Sequence, residues 1–252
     1  MNDQTAYNQD KISLWRRPPS GLTLAHDQVH LWKVWLEVSE ADRHELAQIL
    51  SSSERERAAR FHFARDRERF IVGRGALRVI LAGYQDIRPD QVEFCYGEHK
   101  KPALVSRQHN LEFNISHSHT LLLVAVSLGR TVGVDVEHIR PFDDFEGLAA
   151  RFFSSAEKEA LAAVPKPFRL QAFFTCWTRK EAFIKALGQG LYYPLDHFDV
   201  SLKPGEPAAL LRVQEDPQAV TQWTMQAVAP ASGYVGALVV ERGPCELKFW
   251  QY

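Results

Sequence analysis

Residues 131–141 read TVGVDVEHIRP. In an extended chain side chains alternate, so Val132, Val134 and Val136 point to one face and Gly133, Asp135 and Glu137 to the other. The pattern predicts a strand with one apolar face and two carboxylates side by side, roughly 7 Å apart at Cα. Gly133 leaves room for a close approach from the carboxylate face. Paired carboxylates suit a hard cation such as Mg²⁺, which takes a few of their oxygens and leaves its other octahedral positions to water and substrate phosphates. A lone D-x-E fits the exposed polar face of an edge strand at least as well.

Downstream, residues 177–191 read WTRKEAFIKALGQGL. Each four-residue step along a helix advances about 400°, so Trp177, Glu181 and Lys185 share one face within roughly 80° of arc. Ala182, Phe183 and Ala186 are left to face a core. One reading is a solvated acid–base pair beside a half-buried Trp; the other is a helix face that presents an acid and a base to a ligand. Upstream, FNISHSHTLLLVAVSLG at 113–129 reads as a strand, a polar turn at SHSH and a second strand. His117 and His119 have H-x-H spacing, but no third zinc ligand stands at a recognisable distance. A turn histidine next to Ser116 is better placed to donate to an anion. EHKKPAL at 98–104 is a further turn, where Lys101 supplies a cation and Pro102 a rigid bend.

The remaining elements follow from periodicity and capping. A strand is expected over 29–38, a helix over 66–83, strands near 92–96, 111–115, 121–127 and 132–137, and a long helix over 168–187. SEAD at 39–42, SERE at 53–56 and SSAE at 154–157 read as capping boxes, and the tail from 197 alternates like several strands. A weak repeat runs through this order. AARF occurs at 58–61 and 149–152; Phe70, Gly83 and Pro89 are answered by Phe174, Gly188 and Pro194, and VEF at 92–94 by FDV at 198–200. These echoes predict two halves of related topology, 1–130 and 131–252, joined near LGRTV at 128–132, with a ligand cleft between them.

Composition narrows the class. The chain has 252 residues, 45% of them apolar, enough for one sizeable core or two modest ones. The first twenty residues hold no apolar run fit for a signal peptide, and the longest such run, LLLVAVSL at 121–128, is too short to span a bilayer; a cytoplasmic protein is expected. Cys95, Cys176 and Cys245 are odd in number and scattered, so buried reduced thiols are expected. A net charge of −1 argues against general nucleic-acid binding. The charge is uneven: between Glu54 and Arg78 eight arginines meet four acids. Such a stretch is a charged helix face or a grip for phosphates or an acidic partner. Neither a P-loop nor a dinucleotide fingerprint occurs.

FNISHS, then VGVDVE, then WTRKEAFIKALGQGL some forty residues on, resemble the 4′-phosphopantetheinyl transferases, specifically the longer, monomeric, surfactin-synthetase-activating type. The resemblance runs from about Ser53 to Val200. It implies a pseudo-symmetric α+β fold and a reaction that moves phosphopantetheine from coenzyme A to a serine of an acyl or peptidyl carrier protein, leaving adenosine 3′,5′-bisphosphate. By the same resemblance Asp135, Glu137 and Glu181 match the family's Mg²⁺ ligands, with Mn²⁺ a possible substitute. Glu181 also matches the base that deprotonates the serine. Lys185 would reach the leaving phosphate and Lys180 would add positive charge nearby. Arg69 and His117 match positions that hold the 3′-phosphate of coenzyme A, and Ser116, Lys101 and Pro102 those near its adenine nucleotide. Of the family's paired lysines before RRF, which fall here on Glu54 and Arg57, only Arg57 keeps the charge. Two other readings of the same carboxylates are a metal-dependent phosphohydrolase and a non-catalytic carrier-binding relative.

Overall fold

The computed structural model describes residues 15–97, 101–106, 110–142, 144–243 and 245–252, apart from the side chain of Leu191. The first part of the chain runs through β1 (Gln28–Trp35), α1 (Glu40–Gln48), α2 (Ser52–Ala59) and α3 (Ala64–Gln85). Strands β2 (Phe94–Tyr96), β3 (Pro102–Leu104), β4 (Leu111–Ser118), β5 (Leu121–Leu128) and β6 (Val132–His138) follow. Then come α4 (Phe145–Phe152), α5 (Ser155–Ala163) and α6 (Lys166–Leu187). The tail forms β7 (Phe198–Val200), β8 (Leu210–Val213), β9 (Trp223–Val228), β10 (Tyr234–Glu241) and β11 (Glu246–Gln251).

The strands make two principal sheets, ordered β11-β1-β5-β4 and β6-β10-β9. Every neighbour in them is antiparallel except β11, which runs parallel to β1. The alternation of each strand assigns it to layers. On β5, Leu122, Val124 and Val126 pack under Val72, Leu77 and Leu81 of α3, while Leu121, Leu123 and Ala125 meet Val132, Val134 and Val136 of β6. The uninterrupted apolar run of β5 is thus explained: the strand is buried on both faces. Ala237 and Val239 of β10, on the far face of the second sheet, pack with Phe173, Ala182 and Phe183 of α6. The order is helix, sheet, sheet, helix, an α+β architecture as expected.

Helix starts follow the capping signals with one shift. Ser154 and Glu157 close a full capping box at α5, and Ser39 accepts from the Asp42 N–H at α1. At α2 the cap is Ser51 with Glu54, not Ser53 with Glu56. Pro102, expected in a turn, begins β3, where a missing N–H is tolerated; residues 98–100 of that turn lie outside the described set. The three cysteines are unpaired, but of them only Cys176 is buried; Cys95 is exposed and Cys245 partly so. Among the described residues no helix is long and apolar enough to cross a membrane.

One contact positions everything that follows. A Cβ on Gly133 of β6 would lie 2.1 Å from the Ala182 carbonyl oxygen and 2.4 Å from the Ala186 amide nitrogen. Helix α6 therefore lies directly on β6 at the glycine, with Ala182 and Ala186 buried there and Glu181 and Lys185 turned toward the carboxylate row. Gly188, with φ 73°, ends α6 in the left-handed conformation.

Candidate active site

Asp135 projects from the face of β6 that α6 covers and is only 4% exposed, not the exposed edge carboxylate that D-x-E alone allowed. Its Oδ1 receives the Lys185 ammonium at 2.6 Å and the Ser116 hydroxyl at 2.7 Å. Its Oδ2 is buried with no hydrogen-bond partner. Lys185 also donates to Ser116 Oγ at 2.9 Å, so Asp135, Ser116 and Lys185 close a triangle between β6, β4 and α6. The lysine thus pairs across the cleft with Asp135, and the simple i, i+4 pair with Glu181 is not its arrangement.

Glu181 and Glu137 both lie near enough to Asp135 to feel its charge. Glu181 is pushed up to about 7, first by burial and then by the negative charge of Asp135 and, less, of Glu137, with Lys185 pulling the other way. Burial, and then Asp135, also raise Glu137. The three acids act on one another through charge around one ammonium, and one buried oxygen is unsatisfied; among the described residues no three such side chains stand together as a ready-made metal site, although their donors are the hard oxygens that Mg²⁺ takes.

The cluster has a cost that can be read in the apoprotein. The Glu181 carboxyl titrates near 7 in the fold against 4.5 for the ordinary group, so keeping it ionised destabilises the fold above pH 7. That penalty shrinks as pH falls and is gone below the ordinary value. Glu181→Gln is therefore expected to melt several degrees above the parent at about pH 8 in chelator, with the gap closing toward about pH 4.5. Equal melting at the higher pH would show that the carboxylate ionises there without strain.

Around the cluster the other expected residues divide. His117 lies on β4, where desolvation and the Lys185 charge lower its pKa and Arg69 of α3 adds to the effect. The Arg69 guanidinium donates to Glu37 at 2.6 Å, while its Nε is buried without a partner. Lys101 donates to the Lys185 carbonyl oxygen at 2.7 Å, tying the β2–β3 hairpin to the last turn of α6. Beside that bond a cleft of about 410 Å³ opens between Lys101, Pro102, Asn110, Glu112, Phe113 and Gly188. A larger cavity of about 540 Å³ lies between α6, β9, β10 and residues 202–208 and contains none of the three carboxylates.

Lys180 is a correction. Its ammonium is fully buried and bonded to Glu157 at 2.8 Å and to the carbonyl oxygens of Leu195 and Phe198 at 2.7 and 2.6 Å, so it adds no charge to the cleft. Neighbours in sequence diverge by about 100° on a helix, which sends Lys180 inward while Glu181 faces β6. Trp177 meets Phe152 of α4 edge to face and stacks on Phe173 of its own helix, anchoring α4 to α6. Glu54, at the place of a family lysine, is buried between Arg74 and Arg78, each at 2.7 Å. It is a structural hub, and it takes two arginines out of the basic stretch. Arg57 stays exposed, its guanidinium 5.2 Å from the Phe70 ring centre. His119 stacks on His138 at 4.9 Å, and parallel rings do not aim their nitrogens at one ion.

Two side chains that sequence reasoning passed over also touch the cluster's strand. Asn114 Oδ1 accepts the Val134 N–H at 2.9 Å, and the Ser118 hydroxyl donates to Glu137 at 2.6 Å. Their signal was the run Asn114, Ser116, Ser118: small polar residues at every second place on a strand whose opposite side carries Leu111, Phe113 and Ile115.

Comparison with known proteins gives the family. A model of the 4′-phosphopantetheinyl transferase superfamily matches residues 131–239, and one of the N-terminal part of 4′-phosphopantetheinyl transferases matches residues 34–128. The 4′-phosphopantetheinyl transferase HetI of Nostoc sp. is 41% identical over 240 residues, 94% of this chain and 98% of that protein. The 4′-phosphopantetheinyl transferase Sfp of Bacillus subtilis is 30% identical over 165 residues, 66% of this chain and 72% of its own. The holo-[acyl-carrier-protein] synthase of Thermotoga maritima aligns with a TM-score of 0.36 at 25% identity, over 44% of this chain and 62% of its own. With a relative aligned from end to end at that identity, and a family model on each side of the β5–β6 turn, the chain belongs to the 4′-phosphopantetheinyl transferase family of enzymes.

Proposed function

We propose that this enzyme transfers 4′-phosphopantetheine from coenzyme A to a serine hydroxyl of an apo carrier protein, with Mg²⁺ at the carboxylate cluster, and releases adenosine 3′,5′-bisphosphate. The observation that carries the reading is buried Asp135, paired with Lys185 and with Oδ2 left open, whose charge is felt by Glu137 on the same strand and by Glu181 on α6. The three carboxylates would hold the ion. Once bound, it would neutralise charge on the pyrophosphate and ease departure of the nucleotide.

The chain's own groups supply the rest. A carboxyl that titrates near neutrality is suited to general-base work, so Glu181 takes the serine proton as the serine oxygen bonds to the phosphorus nearer the pantetheine. The bond from that phosphorus to the bridging oxygen breaks, and the electron pair leaves on the bisphosphate, where the Lys185 ammonium stabilises it. His117 and Arg69 receive the 3′-phosphate; the lowered pKa keeps His117 neutral until that anion arrives, and one ring N–H donates. Lys101, Pro102 and the cleft beside them take the nucleotide. We place these nucleotide and carrier contacts in the half spanning 1–130 and the catalytic groups in 131–252. The exposed Arg55, Arg57, Arg60, Arg65 and Arg67 form a basic rim for acidic carriers.

The test is to incubate the enzyme with coenzyme A, Mg²⁺ and a panel of apo carriers and to follow carrier mass. A gain of one phosphopantetheine on serine is expected. Release of free phosphopantetheine without a carrier would instead make it a phosphohydrolase, and inertness in all arms a binding relative. In the same assay His117→Ala should raise the KM for coenzyme A and do much less with dephospho-coenzyme A, which lacks the 3′-phosphate. Equal loss with both donors removes His117 from that role.

A further inference from the structure

Strands β4 and β6 are edge strands of the two sheets, yet they do not pair through their backbones. Side chains from β4 fill the gap. Asn114 takes the Val134 N–H, Ser116 donates to Asp135, and Ser118 donates to Glu137 Oε2 at 2.6 Å. The direction of the last bond is set by a neighbour. The His138 N–H donates to Ser118 Oγ at 3.1 Å, and an amide nitrogen can only donate, so the single hydroxyl proton of Ser118 goes to the carboxylate. Ser116 follows the same logic, with the Lys185 ammonium in place of the amide.

We propose that Ser118 is a positioning residue for Glu137: its hydroxyl, itself fixed by the His138 amide, commits one carboxylate oxygen and leaves the other for the divalent cation. The inference rests on the metal reading made above. Mg²⁺ demands near-octahedral geometry, so a ligand at the end of a strand, free to rotate through two side-chain carbons, binds poorly unless something holds it. Ser118 is the group in contact that can do so, and it reaches no other carboxylate among the hydrogen bonds of the described residues.

The experiment is titration of the whole apoprotein with Mn²⁺, read by the loss of the free-ion electron paramagnetic resonance signal, with melting temperatures alongside. Outer partners of metal ligands typically contribute 10–100-fold in affinity, so Ser118→Ala is expected to weaken Mn²⁺ binding at least about tenfold. Ser118→Thr, which keeps the hydroxyl, should bind like the parent. Ser118→Cys, close in volume but a weak donor, should behave like Ser118→Ala and serves if the alanine variant does not fold. Asn114→Ala loses a bond to the β6 backbone and none to a carboxylate, so it should lower the melting temperature and spare Mn²⁺ affinity. Parental affinity in Ser118→Ala, or an equal loss in Asn114→Ala, overturns the proposal. Glu137→Gln separates the two levels. If it binds Mn²⁺ as the parent does, the metal assignment fails and the positioning role with it; if it loses binding while Ser118→Ala does not, only the role of Ser118 fails.

Discussion

Glu181→Gln is expected to lower kcat for carrier modification by at least about a hundredfold, since general-base help alone is typically worth 10²–10⁴-fold and, on the metal reading proposed above, the same change also weakens a donor to the ion. Lys185→Ala should be comparable, through loss of the cation that stabilises the departing bisphosphate. The structure sharpens the second arm. The Lys185 ammonium lies 2.6 Å from Asp135, so its removal also strips a buried carboxylate of its counter-charge, and melting should be measured with activity. The double variant should be little worse than the poorer single one, because groups acting as a unit are strongly non-additive. An exposed helical acid–base pair, by contrast, is worth only about 0.3–0.5 kcal/mol. Should both single variants retain most of their activity, the reacting centre lies elsewhere.

Gly133→Ala is expected to be the most destabilising one-carbon change in the protein. The added Cβ would stand 2.1 Å from a backbone oxygen of α6, and neither partner is a flexible side chain that can swing aside. Helix α6 must lift from β6, breaking packing around Ala182 and Ala186, at about 3 kcal/mol or more, near the upper end for overpacking. For a chain of this size that corresponds to a fall in melting temperature of roughly 6–12 °C. Gly83→Ala is the matched control. A Cβ there meets nothing within 4 Å, and the position is inside α3, so a gain of about 0.5–1 kcal/mol is expected from helix propensity. Lifting α6 also carries Glu181 away from Asp135, so any Gly133→Ala protein that folds should transfer poorly even at saturating Mg²⁺. Unchanged melting would mean that α6 sits farther from β6 than described.

What was legible in the sequence was periodic and local. Alternation put Asp135 and Glu137 on one face of β6, and four-residue steps put Glu181 and Lys185 on one face of α6. Gly133 announced the close approach that joins them. Misreadings arose where proximity along the chain was taken for proximity in space. Lys180 adjoins Glu181 in sequence but projects into the core toward Glu157, an acid whose capping role already hid a second function. Glu54 likewise caps α2 and neutralises Arg74 and Arg78, and nothing local distinguishes a capping acid from one that does both. Long-range pairing was out of reach for the same reason. The tail was read as strands, but that β11 would leave the second sheet and run parallel to β1 depends on contacts between the two ends of the described chain.

That last strand bears on how the protein is made. Until β11 emerges from the ribosome, β1 has a partner only on its β5 side, and its other edge offers a row of free N–H and C=O groups. Domains ordinarily fold as they are synthesised, N-terminal part first, but here the sheet that begins with Gln28–Trp35 is completed only by Glu246–Gln251. Closure joins residues far apart in the chain, the kind of contact that slows folding. Nascent copies therefore carry an adhesive strand edge until Glu246–Gln251 emerge, and the yield of active enzyme should depend on how well that edge is shielded while the chain grows.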